Sequence, residues 1–179
     1  MELLDVLDRK GNITGIVKDK DEIYKKGYFF RSVHVWVINS KGEILLQKRS
    51  PKKETYPNLW AISIAGHVRQ GESSIAGCLR EIKEELNIDV KEEDLEYLFT
   101  IKRKQKHSKN CINNSFDDVY LLYLDVDVEH AKLQRSELSE IKYFEFKNLE
   151  KLYKMKDPSL VPYCKEHKKL FKILHKKIK

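Results

Sequence analysis

Glu81, Glu84 and Glu85 stand at i, i+3 and i+4, a spacing that stacks their side chains on one face of a helix. Three neighbouring carboxylates repel one another. A fold that keeps them together neutralises them with a cation or a basic partner, and hard oxygen donors of this kind suit Mg²⁺ or Mn²⁺. The opposite face of the same stretch carries Ile75, Leu79, Ile82 and Leu86, which recur with a helical period. Ser73 and Ser74 precede this run as capping residues. Asn87 follows it, where a helix often ends in a left-handed residue. The spacing predicts a helix that buries one face and presents the other, lined with carboxylates.

The flanking elements must position that face. Leu3–Leu7 and Ile13–Val17 read as two short strands around the turn from Asp8 to Asn12. Residues 18–31 read as a polar connector anchored by Tyr28, Phe29 and Phe30, so residues 1–31 form a hairpin and connector. Val33–Asn39 is a β-branched and aromatic strand. Turn chemistry at Asn39–Gly42 leads into the returning strand Glu43–Arg49. That strand ends on Lys48 and Arg49, read either as phosphate ligands or as a surface pair. Trp60–Ala65 is a short apolar strand feeding Gly66. Leu95–Lys102 and Phe116–Val128 are strands, and residues 102–114 between them are read as a basic loop. Ile141–Phe146 is a last strand and Leu149–Met155 a short helix. A basic C-terminal helix is expected over residues 157–179, with Asp157 as its cap and Pro158 at its first position. Along it Cys164, His167, Phe171, Leu174 and Ile178 form an apolar stripe on which His167 is a packing residue. The order of strands and helices predicts an α/β fold with a mixed sheet and helices on both faces.

At 179 residues the chain is expected to form one domain with a proper core. No apolar run approaches the roughly 20 residues needed to span a bilayer, and the first residues carry no signal-peptide core. Three widely spaced cysteines, Cys78, Cys111 and Cys164, argue against a disulfide framework. A reduced, cytoplasmic protein without membrane association is the expectation. The net charge of +7 is concentrated in residues 164–179, which hold seven lysines and one glutamate. The remainder has 28 basic and 27 acidic residues, so the body is nearly neutral. A basic terminal helix of this kind is read as a solvated face, not a nucleic-acid interface.

The stretch Gly66–Ile88, GHVRQGESSIAGCLREIKEELNI, fits a longer pattern: Gly, five residues, Glu, seven residues, then Arg-Glu-apolar-any-Glu-Glu-any-Gly-apolar. The matches are Gly66, Glu72, Arg80, Glu81, Ile82, Glu84, Glu85 and Ile88; Asn87 replaces the final glycine and tolerates the same backbone conformation. The pattern resembles the Nudix box of the Nudix hydrolase superfamily, and the surrounding strands resemble that family's α/β/α sandwich over most of the chain.

The resemblance implies a Mg²⁺-dependent hydrolase, with Mn²⁺ as a substitute ion. It would cleave the diphosphate bond of a nucleoside diphosphate or of a nucleoside diphosphate linked to another group. Glu81, Glu84 and Glu85 would bind the metal, with Glu72 near the metals or supporting the loop. Arg80 would hold a catalytic carboxylate, and Gly66 would let the backbone approach. The general base is open between Glu84 and Glu85, with Glu137 as a candidate outside the motif. The partner expected is an anionic, nucleotide-type small molecule. The N-terminal hairpin and the C-terminal helix are candidate elements of a homodimer. Residues 33–73 also resemble type 1 isopentenyl-diphosphate isomerases, but Ala65 stands where those enzymes would carry a catalytic cysteine and has no proton to move. The third alternative is a non-catalytic module that binds nucleotide or RNA.

Overall fold

A computed structural model describes residues 1–178, and these fall into two compact units. The first comprises Met1–Val35, Ala65–Lys83 and Ile88–Leu121, and the second Trp36–Ile64, Glu84–Asn87 and Leu122–Lys179. Lys179, the last residue of the expected C-terminal helix, lies outside the described residues. Nine strands and four α-helices among the described residues make the mixed α/β class expected from the sequence.

In the first unit, β1 (Leu3–Leu7) and β2 (Ile13–Asp19) pair antiparallel from Leu3↔Asp19 to Leu7↔Ile13. Their turn is closed by Asp8, whose Oδ1 accepts the Lys10 and Asn12 N–H groups at 2.7 and 2.9 Å. The expected connector contains a helix, α1 (Lys20–Lys26). Asp19 caps it by accepting from the Asp21 N–H, and Gly27 ends it at φ 71° with its N–H on the Ile23 carbonyl. The helix forms because Ile23 is buried with Leu4, Val6 and Phe30, an anchor too brief to show as periodicity.

The strand expected from Val33 begins earlier, as β3 (Phe29–Ile38), with Leu7↔Phe29 joining it to β1. β7 (Leu95–Ser108) and β8 (Cys111–Tyr123) pair with each other. This corrects the basic loop expected over residues 102–114: most of it is strand. Lys102 lies over the Phe29 and Phe116 rings at 4.7 and 5.1 Å, and Arg103 Nε donates to Asp117 at 2.7 Å. Lys102 and Arg103 thus have local partners that hydrophobic patterning does not reveal.

In the second unit, β4 (Glu43–Arg49) pairs antiparallel with the end of β3 at Ile38↔Ile44 and with β9 (Leu138–Glu145) over its whole length. It also pairs with β5 (Trp60–Ala61). The single strand expected over Trp60–Ala65 is interrupted, and β6 (Ile64–His67) starts anew. Ser63 sits at the break, fully buried, accepting the Val37 N–H at 2.8 Å and donating to the Leu45 carbonyl at 2.5 Å. A side chain thus replaces a ladder hydrogen bond.

Two helices follow, α3 (Phe146–Lys154) and α4 (Lys165–Lys177), with Phe146 and Phe171 in contact at 5.7 Å between ring centroids. The expected start of the last helix at Asp157 is corrected to Lys165. Pro162 would lack an interior N–H in a helix begun at Pro158, and Asp157 instead closes a turn by accepting from the Ser159 N–H and hydroxyl. The expected stripe survives the shift: His167, Phe171 and Leu174 are buried. No helix among the described residues is long and apolar enough to cross a membrane.

Candidate active site

The carboxylates lie on α2 (Ser74–Leu86), which follows β6 after a short loop. Ser73 Oγ accepts the Ala76 N–H at 3.1 Å at its start, and Asn87 takes φ 56° just past its end. Both ends therefore match what their residue types favour. Cys78, Ile82 and Leu86 are buried on the inner face.

Gly66 and Glu81 meet at the N-terminal part of the site. A Cβ built on Gly66 would lie 2.0 Å from Glu81 Cδ and 2.1 Å from its Oε1. No side chain fits there, so the glycine is required by the carboxylate and not by a turn. Glu81 is only 8% exposed and accepts from Arg80 Nη1 at 2.5 Å. The same guanidinium holds Glu72 through two bonds of 2.9 Å, from Nε and Nη2, and donates from Nη2 to the His67 carbonyl at 2.7 Å. One arginine thereby ties the loop, the helix and two carboxylates together.

The two oxygens of Glu72 are both engaged, since Oε2 also accepts the Arg69 N–H at 2.9 Å. Burial pushes the Glu72 carboxyl up, but the hydrogen bonds from Arg80 and Arg69 outweigh it and hold the group below its usual value. Burial likewise works against the charge of Arg80, and the Glu72 and Glu81 carboxylates more than restore it.

In the second unit, Glu85 is 2% exposed and accepts from Gln47 Nε2 at 3.0 Å. The Gln47 amide also donates to the Ser63 carbonyl at 3.2 Å. The Glu85 carbonyl accepts the Gln134 N–H at 3.1 Å, which fixes the loop leading to Glu137. Glu84 is the exposed member of the three. Along α2, then, Glu81 and Glu85 are buried and Glu84 is exposed.

The remaining expected residues are placed as follows. Lys48 lies 3.7 Å from Glu140 and 5.8 Å from the centre of the Trp60 ring. Arg49 donates to the Thr55 carbonyl and hydroxyl at 2.9 and 3.2 Å, so its guanidinium braces the 50–59 loop. Glu137 forms an ion pair with Lys53, and its carbonyl accepts the Ser50 N–H.

Gln47 and His67 escaped the sequence reading. Gln47 is a buried amide that follows the buried Ile44, Leu45 and Leu46 in β4, and next to the charged Lys48 and Arg49 its burial leaves no signal in the sequence. His67 adjoins Gly66, but its ring turns to Glu2 and Tyr24, each at 3.0 Å, and only its carbonyl joins the Arg80 network.

A family model described as the NUDIX domain matches residues 29–164. The chain is 34% identical over 182 residues to Nudix hydrolase 3 of Arabidopsis thaliana; the match takes in 98% of this chain and 24% of that protein. The chain thus spans about a quarter of the length of that relative. Among solved structures, a Deinococcus radiodurans protein superposes with a TM-score of 0.68 at 21% identity, covering 98% of both chains. The NUDIX domain of NrtR from Shewanella oneidensis, solved with ADP-ribose, gives 0.58 at 15% identity, covering 83% of this chain and 88% of that one. At such identities the structural likeness is one of fold, and the fold is the α/β/α sandwich expected from the sequence.

Proposed function

Because the chain belongs to the Nudix family, we propose that it is a divalent-metal-dependent hydrolase of a phosphoric anhydride bond in a nucleoside diphosphate, free or linked to another group. The observation that carries this reading is the cradle at Gly66, where the backbone gives way to the Glu81 carboxylate and to nothing larger. A surface helix with incidental acids has no need of such a fit. Glu81, Glu84 and Glu85 are hard oxygen donors on one helix face and suit Mg²⁺ or Mn²⁺. When bound, the ion neutralises the diphosphate and acidifies the attacking water.

The chain's own residues do the rest. Arg80 and Gln47 hold Glu81 and Glu85 in fixed orientations, which limits reorganisation during reaction. Glu72, with both oxygens engaged, supports the loop; it is not assigned as a metal ligand. Glu84, exposed on the helix face that carries the carboxylates, is assigned the proton of the attacking water ahead of the buried Glu85 and of Glu137, which lies outside that helix. Lys48 stands at the end of β4 as a phosphate ligand, whereas Arg49 is occupied in the loop. A nucleotide-type substrate is supported by the ADP-ribose held by the NrtR domain of the same fold. The isomerase alternative lacks its acid–base group at Ala65.

The test is a panel of nucleoside diphosphates and their conjugates with Mg²⁺ and Mn²⁺, reading phosphate with and without added phosphatase. Release without phosphatase marks terminal cleavage, and release only with it marks cleavage between linked groups. Glu84→Gln is expected to lower kcat by more than about 100-fold, beyond the loss usual for a supporting residue. Undiminished hydrolysis in that variant would refute the assignment. Nucleotide binding without turnover by the unaltered protein would establish the non-catalytic reading.

A further inference from the structure

Within the first unit, the start of the chain reaches the end of β6 and the loop after it at three points. Glu2, just before β1, faces the His67 ring. Its Oε1 lies 3.0 Å from Nδ1, and because a carboxylate only accepts, Nδ1 donates. The Leu3 carbonyl accepts the Gln70 N–H at 2.9 Å, and Asp5 Oδ2 accepts the Gly71 N–H at 2.9 Å. Residues 2–5 thereby hold residues 67–71, which follow them by about 65 positions.

The His67 ring is held from both sides. Its Nε2 lies 3.0 Å from the Tyr24 hydroxyl, and the Tyr24 and Phe30 rings flank it at 5.9 and 5.4 Å between centroids. Lys20 in turn secures Glu2, with Nζ 3.0 Å from Oε2 and its backbone N–H on the Glu2 carbonyl at 2.9 Å. The side chains of Glu2 and His67 are 23% and 21% exposed, so this is not the open surface pair that contributes little.

The dipeptide Gly66–His67 orients Glu81 twice. Gly66 is the floor on which that carboxylate lies, where a Cβ would come 2.0 Å from Cδ. The His67 carbonyl accepts from Arg80 Nη2 at 2.7 Å, and the same guanidinium donates from Nη1 to Glu81. A ring fixed at both nitrogens fixes the backbone that carries it. The orientation of Glu81 therefore depends on a residue at the far N-terminal end of the sequence.

We propose that Glu2 is a positioning residue of the metal site, acting through the His67 ring on the Gly66–His67 backbone and through Arg80 on Glu81. The role rests on the hydrolase reading, in which Glu81 is a metal ligand. Partners that orient a ligand are worth about 10–100-fold in metal affinity.

The experiment titrates Mn²⁺ alone into the full-length protein without substrate, reading the electron paramagnetic resonance signal of the free ion. Glu81→Gln is expected to weaken Mn²⁺ binding, since it replaces a charged ligand. Glu2→Ala is expected to weaken it about tenfold, and Glu2→Gln, which keeps an acceptor for Nδ1, by less than about threefold. Adding Glu2→Ala to His67→Phe is expected to cause no further loss, because both remove the same bond. Asp8→Ala removes the bonds that close the β1–β2 turn of the same hairpin and is expected to leave the affinity within about twofold. An equal loss in Asp8→Ala, or an additive one in the double variant, would overturn the proposal, because loosening of the hairpin would then explain the effect. So would affinity that falls in Glu81→Gln but not in Glu2→Ala, with the metal site itself left standing. Affinity unchanged in Glu81→Gln would refute Glu81 as a ligand, and with it both the hydrolase reading and this role for Glu2.

Discussion

At position 66 the chain tolerates only hydrogen, because the Glu81 carboxylate occupies the space a methyl group would need. Gly66→Ala forces Glu81 outward by about an ångström, a displacement of the size that costs roughly 100-fold in rate. A steady-state assay should show that loss of kcat, and thermal denaturation should show a lower melting temperature as well, because the displaced Glu81 is buried against Arg80. His67, the next residue, gives a second prediction. Its hydrogen bond to Glu2, supported by Lys20 and opposed by burial, lowers the Glu2 carboxyl from 4.5 to about 2. A carboxyl depressed in the folded state stabilises the fold above its unfolded value and loses that contribution as pH falls through the folded value. Acid unfolding should therefore steepen between about pH 4.5 and 2, and Glu2→Gln should flatten stability measured over that window.

Among the elements, α2 is the one whose local sequence agrees with its tertiary role from end to end. Its stop is the left-handed Asn87 at φ 56°. A β-branched residue in that conformation costs about 1–2 kcal/mol, so Asn87→Val should destabilise by that amount in chemical denaturation and Asn87→Gly should not. The strand leading to it behaves differently. Trp60–Ala65 is apolar enough to read as one strand, yet it breaks at Ser63, whose hydroxyl serves Val37 and Leu45 on neighbouring strands. α1 and the start of α4 depart from the sequence expectation for related reasons. A seven-residue helix anchored by Ile23 has too few turns to show periodicity, and an Asp-Pro pair suits a turn as well as a helix start.

For the molecule as a whole, the charge of +7 reads differently once its partners are known. The basic stretch of β7 packs lysine on Phe29 and Phe116 and pairs Arg103 with Asp117. α4 keeps its lysines outward and buries His167, Leu170, Phe171 and Leu174. The C-terminal segment is thus part of the core, not an appended tail. Deleting residues 165–179 should uncover Phe146 and Tyr153 and abolish cooperative unfolding, because each large core side chain contributes about 3–5 kcal/mol. Lys172→Gln with Lys176→Gln, by contrast, should change stability by no more than about 0.5 kcal/mol in the same measurement.

What the sequence determined by itself was local. The i, i+3, i+4 carboxylates, the opposing apolar stripe, the serine cap and the Asn87 stop follow from a 3.6-residue period and from backbone preferences within one element. The box pattern then pointed to a family and its fold. What only the tertiary structure decided were contacts between residues far apart in the chain. Arg80 clamps Glu72 and Glu81, Gln47 holds Glu85, and Arg49 is occupied by the loop that follows it. Periodicity tells which face of a helix a carboxylate occupies. It does not tell whether that carboxylate is buried, as Glu81 and Glu85 are, or exposed, as Glu84 is, because burial depends on what the rest of the chain brings against that face.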